Sequence, residues 1–460
     1  ICLFAALVML FGVACSKSEL PKESASLRES VEDTDDAYGN AYRAYTMGKQ
    51  VLADFYLDNE EGGRGYNYYD KSRTADSWNY VSLLNMVRYM LELYPEDEEL
   101  LSLYKNAILG MEYFGSIAKG GIWAGKVYCT QATAEKWRST AVCSYDDSAH
   151  IAHMFLEAYE LTGKEEYLTK GINQIDFLID DAYIDNQDVE AFYWCDESNI
   201  VACVTNSMLV VDFLMAYCYL PEAERTAEEN LITLRSDEQA RYAGLYADEA
   251  QTKVHKYIYY ALKGYDFCLT LQDADYNYSM QTGATYENGY YEKGTETGVS
   301  GQHPVRDAHA GFMVSAAVAL YEFTGDESYL DHAVLDANAY FDYFFVAYEV
   351  DGETYWRPML PNNWLLQMYA RGVYDLGEYR RDDALPILNE LQKLLDYAYE
   401  NTLVDNYLCP TFMTGWLLNN SRHENYTLLD TSSIPAIYAM LRLEEKGIYG
   451  NSNICAFAEL

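Results

Sequence analysis

Tyr145-Asp146-Asp147 places two carboxylic acids side by side just before a run with helical spacing, Ile151, Phe155, Ala158 and Tyr159. Two carboxyl groups about 5 to 5.5 Å apart suffice for retaining glycoside hydrolysis, one attacking the anomeric carbon and the other protonating the leaving oxygen. Adjacent residues entering a helix can reach that spacing. The helix dipole lowers both pKa values, so the acid of the pair has to be raised again by burial under aromatic side chains and by its ionised neighbour. A plainer reading competes: Asp is a preferred N-cap and acidic residues suit a first turn, so the pair could simply start the helix. His150 and His153, at i and i+3 beside the carboxylates, open a third reading as ligands of a divalent cation. Against it stands the ordinary solvent-exposed or hydrogen-bonded helix histidine. Since the carboxylates explain the chemistry without a cation, neither a metal nor a cofactor is expected.

The elements that must hold these groups are helical almost throughout. Apolar residues recur at helical intervals in Phe312, Ala316, Ala319, Leu320 and Phe323 as they do after Asp147. The stretches end at breakers that resemble one another, Glu160-Leu161-Thr162-Gly163 against Glu322-Phe323-Thr324-Gly325, with weaker copies at Tyr94-Pro95, Leu220-Pro221, Leu376-Gly377 and Lys446-Gly447. Helices are predicted at about 36–58, 76–94, 97–118, 147–161, 165–181, 204–219, 246–271, 308–323, 327–348, 363–377, 383–401 and 431–446, and six hairpins follow from the six junctions. The segments leading into even-numbered helices, roughly 60–75, 119–146, 182–203, 272–307, 349–362 and 402–430, are long, while most turns after them are short. In an up-down arrangement all six long segments share one end, where binding and catalysis usually sit. The pattern predicts an all-α, single-domain (α/α)6 toroid of six helical hairpins, each helix buried on one stripe; an open helical solenoid is the alternative.

The aromatic residues favour that same end. All seven tryptophans, Trp78, Trp123, Trp137, Trp194, Trp356, Trp364 and Trp416, fall in the long segments or in the first turn of an even-numbered helix. Tyr66, Tyr68, Tyr69, Tyr193, Tyr276, Tyr278, Tyr290 and Tyr291 join them. Any one of these rings could merely pack a loop onto the mouth. As a set they describe a groove with flat apolar platforms and phenolic hydroxyls, matched to sugar rings that present C–H faces ringed by hydroxyls. Trp78, Trp123, Trp194 and Trp364 are the expected platforms. Arg306-Asp307 and His309 could reach sugar hydroxyls or, equally, form an ion-paired helix entry.

Composition excludes other partners. The 460 residues carry 32 Lys+Arg against 72 Asp+Glu, a formal charge of −40, which repels nucleic acid and anionic lipid surfaces. The apolar run from Ile1 to Ala14 is too short to span a bilayer and reads as part of a signal peptide. Gly12-Val13-Ala14-Cys15 resembles a bacterial lipobox with Gly12 in place of a Leu-like residue, so residues 1–15 are expected to be a truncated export signal with lipid attachment at Cys15, residues 16–35 a tether, and 36–460 the domain. The membrane is then touched only through the anchor, and the protein is exported and held at the outer membrane or cell surface. Of the eight later cysteines, Cys203, Cys218 and Cys268 lie in apolar helical stretches and are expected as buried free thiols, and no pair has metal-ligand spacing.

Tyr145-Asp146-Asp147, Ala158 to Gly163, Thr205-Asn206, and Trp364 seven residues before Arg371-Gly372 together resemble glycoside hydrolase family 76, the endo-α-1,6-mannanases, from about residue 60 to 446. The resemblance implies Asp146 as nucleophile, Asp147 as acid/base, an α-mannan substrate, and substrate contacts at Tyr145, Asn206, Trp364 and Arg371 besides the other platforms. Two stretches depart from the family pattern, Ser148-Ala149-His150 after the acids and Ala308-His309-Ala310-Gly311 before the eighth helix. Both border the inferred pocket and bear on linkage and subsites. Two other readings remain: a glycan-binding lipoprotein without turnover, and another (α/α)6 enzyme such as an unsaturated glucuronyl hydrolase, which would want a basic residue for a uronate in loops that are poor in Arg.

Overall fold

A computed structural model describes residues 38–117, 119–136, 143–185, 189–196, 201–272, 309–360, 362–408, 426–449 and 454–460. Among these residues the twelve long helices are α1 (Asn40–Phe55), α2 (Ser77–Leu93), α3 (Glu98–Gly110), α4 (Tyr145–Thr162), α5 (Glu165–Ala182), α6 (Cys203–Tyr219), α7 (Lys256–Thr270), α8 (His309–Thr324), α9 (Glu327–Phe344), α10 (Asn363–Gly377), α11 (Arg381–Thr402) and α12 (Leu428–Glu445). Local chemistry starts and stops them. Asp76, Asp97, Asp326, Asn362 and Thr427 each accept a backbone N–H as N-caps of α2, α3, α9, α10 and α12. The two Thr-Gly junctions end α4 and α8 alike, with Gly163 and Gly325 in the left-handed region at φ 64° and 72° and Thr162 and Thr324 bonding back to the carbonyls four residues earlier.

The even-numbered helices pack one on the next around a ring, α2 on α4, α6, α8, α10 and α12, and α12 closes on α2. The odd-numbered helices sit outside them. Closure settles the choice between toroid and open solenoid. It also corrects the expectation of one buried stripe per helix. That holds for the outer ring, where α5 buries Tyr167, Leu168, Gly171, Gln174, Ile175 and Leu178, but α12 is buried from Leu428 through Glu444 except at Asp430. An inner helix has neighbours on both flanks and an outer helix behind it, so it must be acceptable to the interior nearly all round. Backbones of α8 and α10 touch at Gly311 and Gly372: a Cβ on Gly311 would lie 2.6 Å from the Met368 carbonyl oxygen, and one on Gly372 2.5 Å from that of Gly311.

Among the described residues four two-stranded antiparallel ribbons join helices, β1–β2 (Tyr56–Leu57, Arg64–Gly65), β3–β4 (Tyr183–Asp185, Glu190–Phe192), β5–β6 (Leu231–Thr233, Lys253–His255) and β7–β8 (Phe345–Val350, Glu353–Pro358). Two of them correct the predicted helices. Residues 345–348 are a strand because Asp351-Gly352, both at positive φ, form a tight hairpin turn. Residues 246–255 do not belong to α7, which starts only after Lys253–His255 has paired with Leu231–Thr233. The predicted third helix stops at Gly110, followed by a 3-10 turn.

Cys129–Cys143 and Cys218–Cys455 are disulfides, with Cα atoms 4.7 and 5.9 Å apart. Cys218 is therefore not the free thiol expected; Cys203 and Cys268 are free and buried, and Cys195 is free. Nothing local to Cys218 marks a partner 237 residues away. Closing so long a loop restricts the unfolded chain, so Cys218→Ala with Cys455→Ala is expected to lower unfolding free energy by about 2–4 kcal/mol in a urea titration. An unchanged midpoint would mean that the bridge does not hold the tail. Among the described residues no helix is long and apolar enough to cross a membrane. The expected signal segment, Cys15 and the whole of the tether lie outside the described residues.

Candidate active site

The first turns of the inner helices gather at one mouth of the toroid, and Asp146 and Asp147 stand in the first turn of α4. The N-cap position belongs to Ser144, which makes no side-chain capping bond. Asp146 Oδ1 accepts the Asp147 N–H at 2.9 Å, which satisfies one otherwise free helix amide, and its Oδ2 accepts the Trp194 indole N–H at 2.8 Å. Capping thus accounts for one bond and leaves Asp147 unexplained. Asp147 is the more deeply set, 8% exposed, with the Thr130 and Ser77 hydroxyls beside its carboxyl.

These surroundings separate the two acids. Burial raises both; the Trp194 and amide donors pull Asp146 back toward the ionised form. Asp147 is pushed well above the usual carboxylate range, first by burial and then by the charge of Asp146, and the two hydroxyls only partly oppose this. Of the two, Asp147 therefore keeps its proton to the higher pH, and the pair titrates as a unit.

Beside the pair the wall is aromatic. Trp78 and Trp364 meet edge to face at 5.2 Å, His150 lies 5.5 Å from Trp364, and Phe312 is 5.8 Å from both His150 and Trp364. The indole N–H groups of Trp78 and Trp364 are buried and have no acceptor among the described residues. Burial, with the nearby His153 and Arg371, lowers the His150 pKa to about 3 and keeps the ring neutral. Beneath it a cavity of about 20 Å³, room for one water, is lined by His150, His153, Asp212, Phe312, Ser315 and Arg371 among others.

Several expected residues serve other ends. Tyr145 is buried and its hydroxyl donates to Asp181 Oδ2 on α5 at 2.7 Å, so it offers no hydroxyl to a sugar. Asn206 is fully buried and ties β4 to α6, accepting the Phe192 N–H at 2.9 Å and donating to the Phe192 and Ala202 carbonyls. Arg371 lies below the mouth, 2.9 Å from His153 Nε2, rather than on the groove wall. His153 also meets Asp212 at 2.8 Å through Nδ1 and Glu157 at 3.3 Å through Nε2, so both ring nitrogens are engaged within the protein and unavailable to a cation. Among the described residues no three His, Cys, Asp or Glu side chains form a metal-holding group. His309 begins α8, but its side chain is not described. Trp137, Trp416, Tyr276, Tyr278, Tyr290, Tyr291 and Arg306-Asp307 lie outside the described residues.

Trp123 is half-buried on the rim, 5.9 Å from Phe177 of α5. If it stacks on a sugar, Trp123→Ala should weaken binding of mannose oligomers by about 1 kcal/mol in calorimetry with little change in thermal stability. A large loss of stability with unchanged affinity would make it a packing residue. Thr130 and Ser77, which carry no local signal, are absent from the sequence-based set, and Trp194, expected as a platform, also gives its N–H to Asp146.

No family model and no curated relative matches the chain. Its fold, however, is found in solved structures. A family 76 glycoside hydrolase (mannosidase) from Bacteroides thetaiotaomicron VPI-5482 superposes with a TM-score of 0.68 at 17% identity, over 88% of this chain and 99% of that one. An inactive variant of the GH76A α-1,6-mannanase of Salegentibacter sp. HEL1_6, in complex with α-1,6-mannotriose, does so at 0.59 and 14%, over 87% and 99%. Cellobiose 2-epimerase from Bacillus thermoamylovorans B4167 also matches, at 0.53 and 12%, over 88% and 100%. These likenesses establish the helical toroid; that one of them is an epimerase shows the fold hosts more than one chemistry.

Proposed function

We propose that the protein is a retaining, endo-acting glycoside hydrolase that cleaves α-1,6-mannosidic linkages in mannan-type polysaccharides. The observation that carries this reading is the carboxyl pair itself: two adjacent acids at an aromatic-walled mouth, one bonded by an indole N–H and one buried deeper and holding the proton. Asp146 attacks the anomeric carbon as the glycosidic C–O bond breaks and Asp147 gives its proton to the leaving oxygen. A mannosyl ester of Asp146 results. Asp147, now ionised, takes a proton from water as that water attacks the same carbon and frees Asp146. Neighbouring residues on one turn do not readily hold their carboxyl groups the roughly 6.5–9.5 Å apart that inversion needs, which favours retention. The mannosidase and mannanase titles among the structural likenesses support the choice of sugar.

The test is incubation with unbranched α-1,6-mannan, with separation of the released oligosaccharides and NMR of the first-formed reducing ends. Oligomers with α-configured ends are expected, with activity that survives EDTA. First-formed β ends, or activity abolished by EDTA and restored by a divalent cation, would overturn the mechanism. Export with a lipid anchor at Cys15 belongs to the same proposal. It is supported by the apolar run ending at Ala14 and by two disulfides, which persist in oxidising compartments.

A further inference from the structure

Thr130 occupies a junction that no local sequence signal marks. Its carbonyl oxygen accepts the N–H of Ser77, the first residue of α2, at 2.8 Å, and its Oγ1 accepts the N–H of Ser144, the residue before α4, at 3.0 Å. One side chain and its own backbone thus tie together the heads of two adjacent inner helices. The segment that carries Thr130 is itself fixed on three sides. The Cys129 N–H bonds the Phe114 carbonyl at 2.7 Å, the Tyr128 N–H bonds Gln174 Oε1 of α5 at 2.9 Å, and Cys129 is joined to Cys143. Since Cys129 precedes Thr130 and Cys143 precedes Ser144, the disulfide clamps the chain beside both ends of the Thr130–Ser144 bond.

With Oγ1 accepting from Ser144, the hydroxyl proton of Thr130 is left to donate, and the carboxyl beside it is that of Asp147. We propose that Thr130, held by the Cys129–Cys143 clamp, is the positioning residue of Asp147, orienting its carboxyl and donating to it once it has given up its proton. The proposal rests on the reading of Asp147 as acid/base. Its chemical sense lies in the second half of the cycle, when a buried carboxylate must wait for water. The charged groups facing Asp147 are Asp146 on its own helix and Asp76 at the head of α2, both acidic. Neutral hydroxyls, Thr130 and the otherwise unpartnered Ser77, are what this environment offers the anion.

The test reads Asp147 both through turnover and without it. Asp carboxyl 13C resonances are followed against pH in the wild type, Thr130→Ala, Thr130→Ser and Thr130→Val, the Asp147 signal being identified by its absence in Asp147→Asn. Loss of the donor disfavours the ionised form, so the Asp147 midpoint should move up by about one pH unit in the Ala and Val variants and return in Ser. The basic limb of the pH–rate profile should move the same way, with kcat lowered about tenfold or more and KM little changed. Cys129→Ser with Cys143→Ser should shift the midpoint in the same direction. A midpoint unmoved in folded Thr130→Ala, or moved equally in Thr130→Ser, would overturn the proposal. A wild type without activity on mannan would instead defeat the assigned reaction while leaving the titration to judge Thr130.

Discussion

Asp146→Asn and Asp147→Asn should each leave a folded protein with turnover on α-1,6-mannan reduced by several orders of magnitude. Losing Asp146 removes the covalent intermediate, and the loss should be about four orders of magnitude or more. Losing Asp147 removes the proton from the leaving oxygen and should reduce the rate by about 10²–10⁴-fold, least for substrates whose leaving group needs no proton. Stability should not fall with activity. Asn accepts the Asp147 N–H as Asp146 does, and it carries no charge into the buried site. For Asp147 the sign can be worked through. Its folded pKa lies above the unfolded value, so the native state binds more protons in the interval between them and stability is lost as pH rises through it. The Asp147→Asn protein lacks that loss and should be the more stable of the two at neutral pH. Near-normal turnover in both variants would return the pair to a helix-starting role.

Trp194→Phe should have the next largest effect, and in a way that reveals its role. The indole N–H on Asp146 Oδ2 is one of the bonds that hold this acid toward its ionised form against burial. A hydrogen bond to a charged group contributes roughly 1.5–3 kcal/mol. Without it Asp146 should keep its proton to higher pH, moving the acid limb of kcat/KM up by about one to two units. The ionised nucleophile is then scarcer at low pH, so the rate falls roughly ten- to a hundredfold on the acid side and recovers as pH rises. Phenylalanine keeps an apolar ring in the half-buried site, so a platform-only residue would lose affinity evenly across pH and leave the limb where it was. That outcome would remove Trp194 from the machinery of Asp146.

Much of the architecture was legible because the signals that encode it are local. A period of 3.6, a capping Asp or Asn, and a Gly needed in the left-handed region after Thr162 or Thr324 are properties of a few consecutive residues. They placed all the long helices, with every start but that of α7 and every end but that of α3 within four residues, and implied six hairpins. Of the ribbons read as helix, the one around Asp351-Gly352 also carried a local turn signal, which the apolar run before it obscured. The tandem acids and the aromatic bias toward one end were visible for the same reason.

Roles that depend on a partner were not. Trp194 reaches Asp146 across 48 residues, Thr130 reaches Ser144 across 14 and Ser77 across its backbone, and Cys218 meets Cys455 across 237. Tyr145 and Asn206 have the right types for sugar contacts, yet Asp181 and the Phe192 backbone take their hydrogen-bonding groups. The sequence by itself determined which segments are helices and offered the tandem acids as candidates for chemistry, because those follow from side-chain type and short-range spacing. Only the tertiary structure decided that the ring closes, which polar groups are already satisfied, and which of two neighbouring acids keeps the proton, because burial and hydrogen bonding are set by whatever the fold brings alongside.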